Sequence, residues 1–159
     1  MAMTMQTEGL DALGAMIGKL GAEAQNVASG ALYEGAGVMA NAFSGAAGRI
    51  RTEPFTHKKA RRLPSPEEKA AVTGKTGIAK FNKNGSEVNT LVGVTRNAGY
   101  VQLGKRRTPV LEIARSINSG TSFMTKQPIF RQAVSGAKGA AENAMVAKAE
   151  EMINDIING

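Results

Sequence analysis

The chain of 159 residues contains no cysteine and no tryptophan, and aromatic residues make up only 4% of it. The absence of cysteine excludes disulfide bonds, thiol catalysis and cysteine-ligated metals within this chain. With so few aromatic side chains, the core has to be built from alanine, valine, isoleucine, leucine and methionine. Because such a core is thin and 19 residues are glycine, we expect modest stability for an isolated subunit, with assembly contributing part of it.

The N-terminal region lacks a long uninterrupted apolar run, because Glu8, Asp11 and Gly14 break it. We therefore expect neither a signal peptide nor a membrane span. The length fits a single domain over residues 1–159. The formal net charge of +7 favours contact with polyanions or with acidic protein surfaces.

Residues with the spacing of a catalytic or metal site are missing from the sequence. His57 is the one histidine, and it lies among cations with no carboxylate placed to orient it. Gly74-Lys75-Thr76 is similar to part of a phosphate-binding loop, but that motif needs a glycine where Lys69 stands. We expect no enzymatic activity, no cofactor and no bound metal.

Two segments near the ends of the sequence have the periodicity of long helices. Apolar residues recur three and four positions apart from Leu10 to Ala31, which predicts a helix over residues 6–44. Its glycines each disfavour the helix by about 1 kcal/mol, so packing has to hold it; a second interpretation is that they let a neighbouring subunit come close. A similar stripe predicts a C-terminal helix over residues 130–157.

The predicted C-terminal helix carries an acidic patch near its end. This patch consists of Glu150, Glu151 and Asp155. Negative charge is unfavourable at the C-terminal end of a helix dipole. A basic partner surface would relieve this, and the cations of residues 58–62 in an adjacent subunit are one candidate.

Between the helices, the sequence predicts three further segments. They are an extended basic loop over residues 45–76, antiparallel strands within residues 77–104, and a short inserted helix over residues 108–119. Asn84-Gly85 is a strong turn signal for a hairpin. The predicted fold is α+β, with a long N-terminal helix and a C-terminal helix packed on a small twisted antiparallel sheet.

Cations in the loop and in the inserted segment are the candidate contact residues. They are Arg49, Arg51, Lys58, Lys59, Arg61, Arg62, Lys105, Arg106 and Arg107. One interpretation of the loop is a flexible solvated segment. The other is a segment that lies against an acidic neighbour or directs its cations toward DNA. Within the loop, the residues after Pro64 also predict a short helix through Val72.

Two motifs resemble those of a known family. The first, V-G-V-T-R-N-A-G-Y-V-Q-L-G, runs from Val92 to Gly104, and the second, P-I-F-R-Q-A, runs from Pro128 to Ala133. They resemble the strand-turn-strand and the start of the last helix in the tail-completion, or head-tail joining (neck), proteins of long-tailed double-stranded DNA phages. The departures from the family pattern are Gln102, Lys105 and Ile129. Apart from residues 50–72, the resemblance covers most of the chain.

The resemblance implies a structural virion protein that is made in the host cytoplasm. Six matching residues would anchor the fold: Tyr100, Leu103, Gly104, Pro128, Phe130 and Arg131. By resemblance, the protein assembles as a sixfold ring at the head-tail junction or at the head-proximal end of the tail. Its partners would be the head connector or head-completion protein, the tail tube protein, and DNA in the lumen, contacted without sequence preference.

An alternative function is that of a small basic protein that binds nucleic acid without sequence preference. The net charge and the run K-K-A-R-R favour it, whereas the lack of interleaved aromatic residues and of a known binding module disfavours it. A membrane-active amphipathic protein is a second alternative. It is disfavoured because the polar face of the first helix is acidic as well as basic.

Overall fold

The structure is a computed structural model that describes residues 8–56, 61–78, 80, 82–84, 87–95 and 97–159. It confirms the predicted α+β fold class. The elements, in chain order, are α1 (Glu8–Gly48), α2 (Pro66–Thr73), β1 (Thr76–Ile78), β2 (Asn82–Asn84), β3 (Glu87–Asn89), β4 (Val92–Val94), β5 (Tyr100–Leu103), β6 (Arg106–Pro109), α3 (Val110–Ser119) and α4 (Ile129–Asn158).

The two long helices, α1 and α4, pack antiparallel. Near one end of the pair, Phe43 stacks on Phe130 with ring centroids 4.3 Å apart, and toward the other end Gly30 lies beside Met152. Because α1 has 41 residues and α4 has 30, the N-terminal part of α1 continues past the end of α4 by roughly 20 Å, at 1.5 Å per residue.

Glycine at position 35 allows α4 to approach α1 closely. A Cβ atom at Gly35 would overlap the side chain of Met145 and would lie 3.3 Å from the carbonyl oxygen of Ala141. At Gly37, by contrast, a Cβ would have no described atom within 4 Å apart from its own helix. Gly35 therefore serves the packing of α1 on α4 within one chain. Close approach of a neighbouring subunit was the second interpretation of these glycines.

We expect Gly35→Ala to lower the free energy of unfolding by about 1 to 3 kcal/mol, because the added methyl group overpacks the helix contact. The matched control is Gly37→Ala, which should raise stability by up to about 1 kcal/mol through helix propensity alone. Urea unfolding followed by circular dichroism measures both. Equal effects of the two substitutions would contradict the close packing at Gly35.

The middle of the chain folds around the Phe43–Phe130 end of the helix pair. We call residues 49–131 the head and the two long helices outside it, residues 8–48 and 132–158, the stem. The core of the head contains Val72 of α2, Val101 of β5, and Ile113 and Ile117 of α3, together with Phe130. The last turn of α1 also enters this core, so the stem is fixed in the head at one end and projects from it at the other.

The strands form three two-stranded antiparallel ladders, β1–β4, β2–β3 and β5–β6, instead of the single sheet that the sequence predicts. Each strand is only three or four residues long. Gly99, with φ +83°, redirects the chain between β4 and β5, so these strands do not continue one ladder. Gly85 lies outside the described residues, but β2 and β3 pair on either side of it, as a hairpin there requires.

The predicted end of the strand region at residue 104 is wrong. The sequence suggests that Gly104 and the three following cations end the strand pattern, but Arg106 and Arg107 belong to β6. Gly104, with φ +60°, forms with Lys105 the turn that joins β5 to β6. Charged side chains are well tolerated on an exposed edge strand. The inserted helix accordingly begins at Val110, two residues later than predicted.

The predicted extended loop over residues 45–76 is interrupted by regular structure. Helix α1 continues to Gly48, and α2 begins after Ser65 with a capping box. In this box the Ser65 Oγ accepts a hydrogen bond from the Glu68 N–H, and the Glu68 carboxylate accepts one from the Ser65 N–H at 2.8 Å. The short helix predicted through Val72 is therefore present.

Hydrogen bonds attach the described part of the loop to the segment after α3. The buried amide of Gln127 donates to the carbonyl oxygen of Arg51 at 3.1 Å and accepts from the Arg51 N–H at 3.0 Å. The Thr125 N–H donates to the carbonyl oxygen of Arg62 at 2.9 Å. This part of the loop is thus built into the head.

Among the described residues, no helix is long and apolar enough to cross a bilayer.

Candidate partner-binding surfaces

A cleft of about 280 Å³, lined by both polar and apolar side chains, lies between the β5–β6 hairpin, α3, the segment that follows α3 and residues before and within α2. Arg62 and Glu68 contribute to its lining, where they are paired with each other. The Thr121 hydroxyl at its edge accepts hydrogen bonds from backbone N–H groups. These polar groups support the fold. The described residues contain no group of three or more histidine, cysteine, aspartate or glutamate side chains that could hold a metal ion.

Arg62 has a different role from the one predicted for it. Its Nη1 and Nη2 atoms donate to the two carboxylate oxygens of Glu68 at 2.5 and 2.7 Å, and its guanidinium lies 5.0 Å from the centre of the Phe55 ring. The exposed fractions of the Arg62 and Glu68 side chains are 14% and 3%. The hydrogen bond to Glu68 raises the pKa of Arg62 above its usual value. Arg62 therefore stabilises the head, and we remove it from the candidate contact residues.

The outer face of the β5–β6 hairpin presents an arginine and a tyrosine to solvent. Val101 points into the core, so the neighbouring Tyr100 points outward. Its side chain is 58% exposed, and the guanidinium of Arg107 lies 4.2 Å from its ring centre, as in a cation–π contact. The prediction of Tyr100 as a fold anchor is therefore wrong, because strand alternation places its ring on the surface.

The inner face of the same hairpin carries a second pair of this kind. Arg106 is directly opposite Leu103 in the β5–β6 ladder, so both side chains lie on one face. Leu103 packs against the core, while the Arg106 guanidinium lies 5.6 Å from the centre of the exposed Phe123 ring. A cation–aromatic pair thus lies on each face of the hairpin, with Lys105 at the turn.

The other predicted fold anchors divide into two groups. Phe130 is 5% exposed, Pro128 stands at the N-cap of α4, and Gly104 forms the hairpin turn, so all three have structural positions. Arg131 has an exposed side chain, and its described contribution is a backbone N–H that donates to Asn118 Oδ1 at 3.3 Å. Arg131 is therefore a surface cation and a weak anchor.

The remaining predicted contact residues belong to the segment of the sequence between α1 and α2. Arg49, Arg51 and Arg61 are exposed, and Lys58 and Lys59 lie outside the described residues. The structure therefore groups Lys105, Arg106 and Arg107 on one hairpin and leaves the described loop cations at separate positions. We call this group, with Tyr100 and Phe123, the hairpin surface.

Charge is divided between the head and the stem, which our sequence reasoning missed. Of the 20 basic residues 17 lie between positions 49 and 131, with five of the 13 acidic residues, for a net charge of +12. The stem, residues 8–48 and 132–158, has three basic and eight acidic residues. Counting charge separately for each predicted element would have revealed this polarity.

The free end of the stem has an exposed apolar stripe. The exposed fractions of Leu13, Met16 and Ile17 are 51%, 40% and 61%. Their helical spacing places them in line with Val27 and Ala31, which are buried in the region where α4 covers α1. The stripe therefore continues the surface that binds α4 beyond the point where α4 ends.

The last turns of α4, the helix that ends before this stripe begins, carry acidic side chains. Glu150, Glu151 and Asp155 are exposed. Lys148 Nζ donates a hydrogen bond to Glu151 Oε1 at 2.8 Å, which raises the pKa of Lys148. Glu150 and Asp155 have no described ion pair with a cation. We call the apolar stripe and these acidic side chains together the stem tip.

A basic, partly aromatic hairpin and an acidic, partly apolar stem tip thus lie at opposite ends of an α+β protein. Comparisons of the chain with protein-family models, with curated proteins and with solved structures found no match.

Proposed function

We propose that the protein is a structural virion protein that forms a ring at the head-tail junction of a long-tailed double-stranded DNA phage, or at the head-proximal end of its tail. The observation that carries this proposal is the difference between its two ends, a basic head and an acidic stem with exposed apolar side chains. Two unlike surfaces on one subunit suit a head-to-tail contact, which closes into a ring when the rotation per subunit divides a full turn.

The assignment to a phage particle depends on the family resemblance of Val92–Gly104 and Pro128–Ala133. In the structure these segments meet in the core of the head, where Val101 and Phe130 belong to the same cluster. The resemblance also supplies sixfold symmetry and the partners, namely the head connector or head-completion protein and the tail tube protein. Head cations that line the lumen would contact passing DNA through its phosphates, without reading its sequence.

Copy number in purified particles tests the proposal. A sixfold ring component should be present at about six or twelve copies per particle, measured by quantitative mass spectrometry against the major capsid protein. A phage enzyme that stays outside the particle serves as the control for contamination. Absence from the particles, or a copy number that follows that control, would contradict the proposal.

The charge of the head also favours one alternative, a protein that binds nucleic acid without sequence preference. Exposed Arg106 and Arg107 lie beside aromatic rings, and such pairs bind phosphates and stack on bases. For that function, the logarithm of the DNA affinity should fall with the logarithm of salt concentration by about 0.9 per phosphate neutralised. A steep salt dependence together with absence from particles would favour this alternative.

A further inference from the structure

We propose that the stem tip of one copy of this chain binds the hairpin surface of a second copy, in a head-to-tail contact. This inference rests on the proposed ring, since it names the two surfaces that join neighbouring subunits. Three observations support it: the shape of the stem tip, the opposite charge of the two surfaces, and the distance between them within one molecule.

The stem tip has the shape of a step, because α1 continues beyond the point where α4 ends. Helix α4 covers the apolar face of α1 as far as its own last turn, and beyond that turn the same face of α1 carries exposed Leu13, Met16 and Ile17. A partner placed in the step would contact this apolar face on one side and the C-terminal end of α4 on the other. Side chains as large as leucine and isoleucine, exposed in a row, are typical of a contact surface.

The charge of the step favours a cationic occupant. The last carbonyl groups of α4 form the negative end of its helix dipole. Asp155 adds an exposed carboxylate in the last turn, and Glu150 adds one about two turns before the end of the helix. Cations are stabilised at such a position. The occupant should therefore combine basic side chains for α4 with apolar or aromatic side chains for α1.

The hairpin surface has this combination. Lys105 and Arg107 are exposed at and next to the turn between β5 and β6, and the Tyr100 ring lies under the Arg107 guanidinium. Tyrosine and arginine are enriched in protein interfaces, where they supply much of the binding energy. Both turn residues, Gly104 and Lys105, are exposed, so the turn is accessible to another molecule.

The two surfaces of one molecule are too far apart to meet. Along α1, Ile17 and Phe43 are separated by 26 residues, which is about 40 Å of helix, and the hairpin belongs to the head at the Phe43 end. The contact is therefore between copies. Because it joins unlike surfaces, it leaves one hairpin and one stem tip free at the ends of any open chain, as ring closure requires.

A contact between two stem tips is the main competing arrangement. It would also cover the apolar stripe, but it would bring the acidic side chains of two copies together, and like charges across an interface oppose binding. It would also leave the hairpin surface exposed on both molecules.

Disulfide trapping distinguishes these arrangements, because the natural chain has no cysteine. Two full-length variants, Ile17→Cys in the stem tip and Gln102→Cys on the outer face of the hairpin, are mixed in equal amounts and oxidised. We expect the Ile17→Cys–Gln102→Cys dimer to exceed each homodimer by at least roughly tenfold. Ser135→Cys, at an exposed position on α4 away from both surfaces, is the control partner.

Charge reversal on the same cysteine variants tests the electrostatic part. Lys105→Glu with Arg107→Glu on the Gln102→Cys chain should reduce the mixed dimer by roughly 100-fold, as should Glu150→Lys with Asp155→Lys on the Ile17→Cys chain. Combining both reversals should restore it, because the charges are then exchanged between the surfaces. Lys75→Glu with Lys126→Glu, an equal change elsewhere on the head, should have no effect.

Three results would overturn the inference: a dominant Ile17→Cys homodimer, equal trapping with the Ser135→Cys control, or mixed dimers that ignore charge reversal. The copy number in particles is measured separately. If the protein is a ring component in particles but fails the trapping test, the proposed function stands and this contact is wrong. If trapping is specific but the protein is absent from particles, the contact stands and the virion assignment is wrong.

Discussion

Replacing Phe130 with alanine is expected to lower the free energy of unfolding by about 3 to 5 kcal/mol, as for other buried aromatic residues. Phe130 lies in the first turn of α4, is 5% exposed, and stacks on Phe43 at 4.3 Å with an angle of 11° between the rings. In a chain with few aromatic residues, this pair joins the two long helices where they enter the head. Its loss removes the contact and leaves a cavity between the helices.

Urea unfolding at a protein concentration low enough to avoid assembly measures this effect. Arg131→Ala, at the adjacent exposed position, is the matched control and should change stability by less than about 0.5 kcal/mol. A double-mutant cycle with Phe43→Ala should give a coupling energy of about 0.5 to 1.5 kcal/mol for the stacked rings. A loss below about 1 kcal/mol for Phe130→Ala would contradict its burial in the core.

The second large effect is expected at Glu68. Its carboxylate binds both Arg62 nitrogens and the Ser65 N–H, so Glu68→Ala leaves a nearly buried guanidinium without its counter-charge. Breaking such a pair from one side costs about 3 to 5 kcal/mol. The Arg62 side chain remains 14% exposed, which places the expected loss toward the lower end of this range.

Two further variants separate the charge from the helix cap. Ser65→Ala removes the side-chain half of the capping box and should cost about 1 kcal/mol. Replacing Arg62 and Glu68 together with methionine and leucine should cost much less than Glu68→Ala, because no buried charge is then left unpaired. If the double replacement is as destabilising as Glu68→Ala, the unpaired guanidinium does not account for the loss.

Local patterns explain which elements could be predicted from the sequence. The apolar spacing from Leu10 to Ala31 is a property of α1 alone, and the spacing in α4 is equally local, so both helices were predicted to within a few residues. The hairpin between β2 and β3 was predicted from its turn residues. Strand β6 was missed because it is four residues long and its first two residues are exposed arginines, which resemble a loop.

The roles of individual side chains depended on contacts between distant residues. Arg62 belongs to a buried ion pair because Glu68, six residues later in α2, binds its guanidinium. The sequence around Arg62 does not reveal this pairing. The inward position of Val101, and so the outward position of Tyr100, is decided by the elements that pack on β5. Phe130 is buried in the core, but its partner Phe43 lies 87 residues earlier, so its packing against α1 was not foreseen.

In the proposed ring, the length of the stem would fix the distance between neighbouring junctions. If neighbouring copies join through the two ends of each subunit, the junctions would be the corners of a polygon, and the helix between Ile17 and Phe43, about 40 Å long, would make up most of its side. The corner-to-corner diameter of a regular hexagon is twice its side, so six copies would place opposite junctions about 80 Å apart. Inserting two helical turns into both α1 and α4 would lengthen the side by about 11 Å and widen the opening in proportion, so in the proposed ring the stem length would set the diameter of the bore.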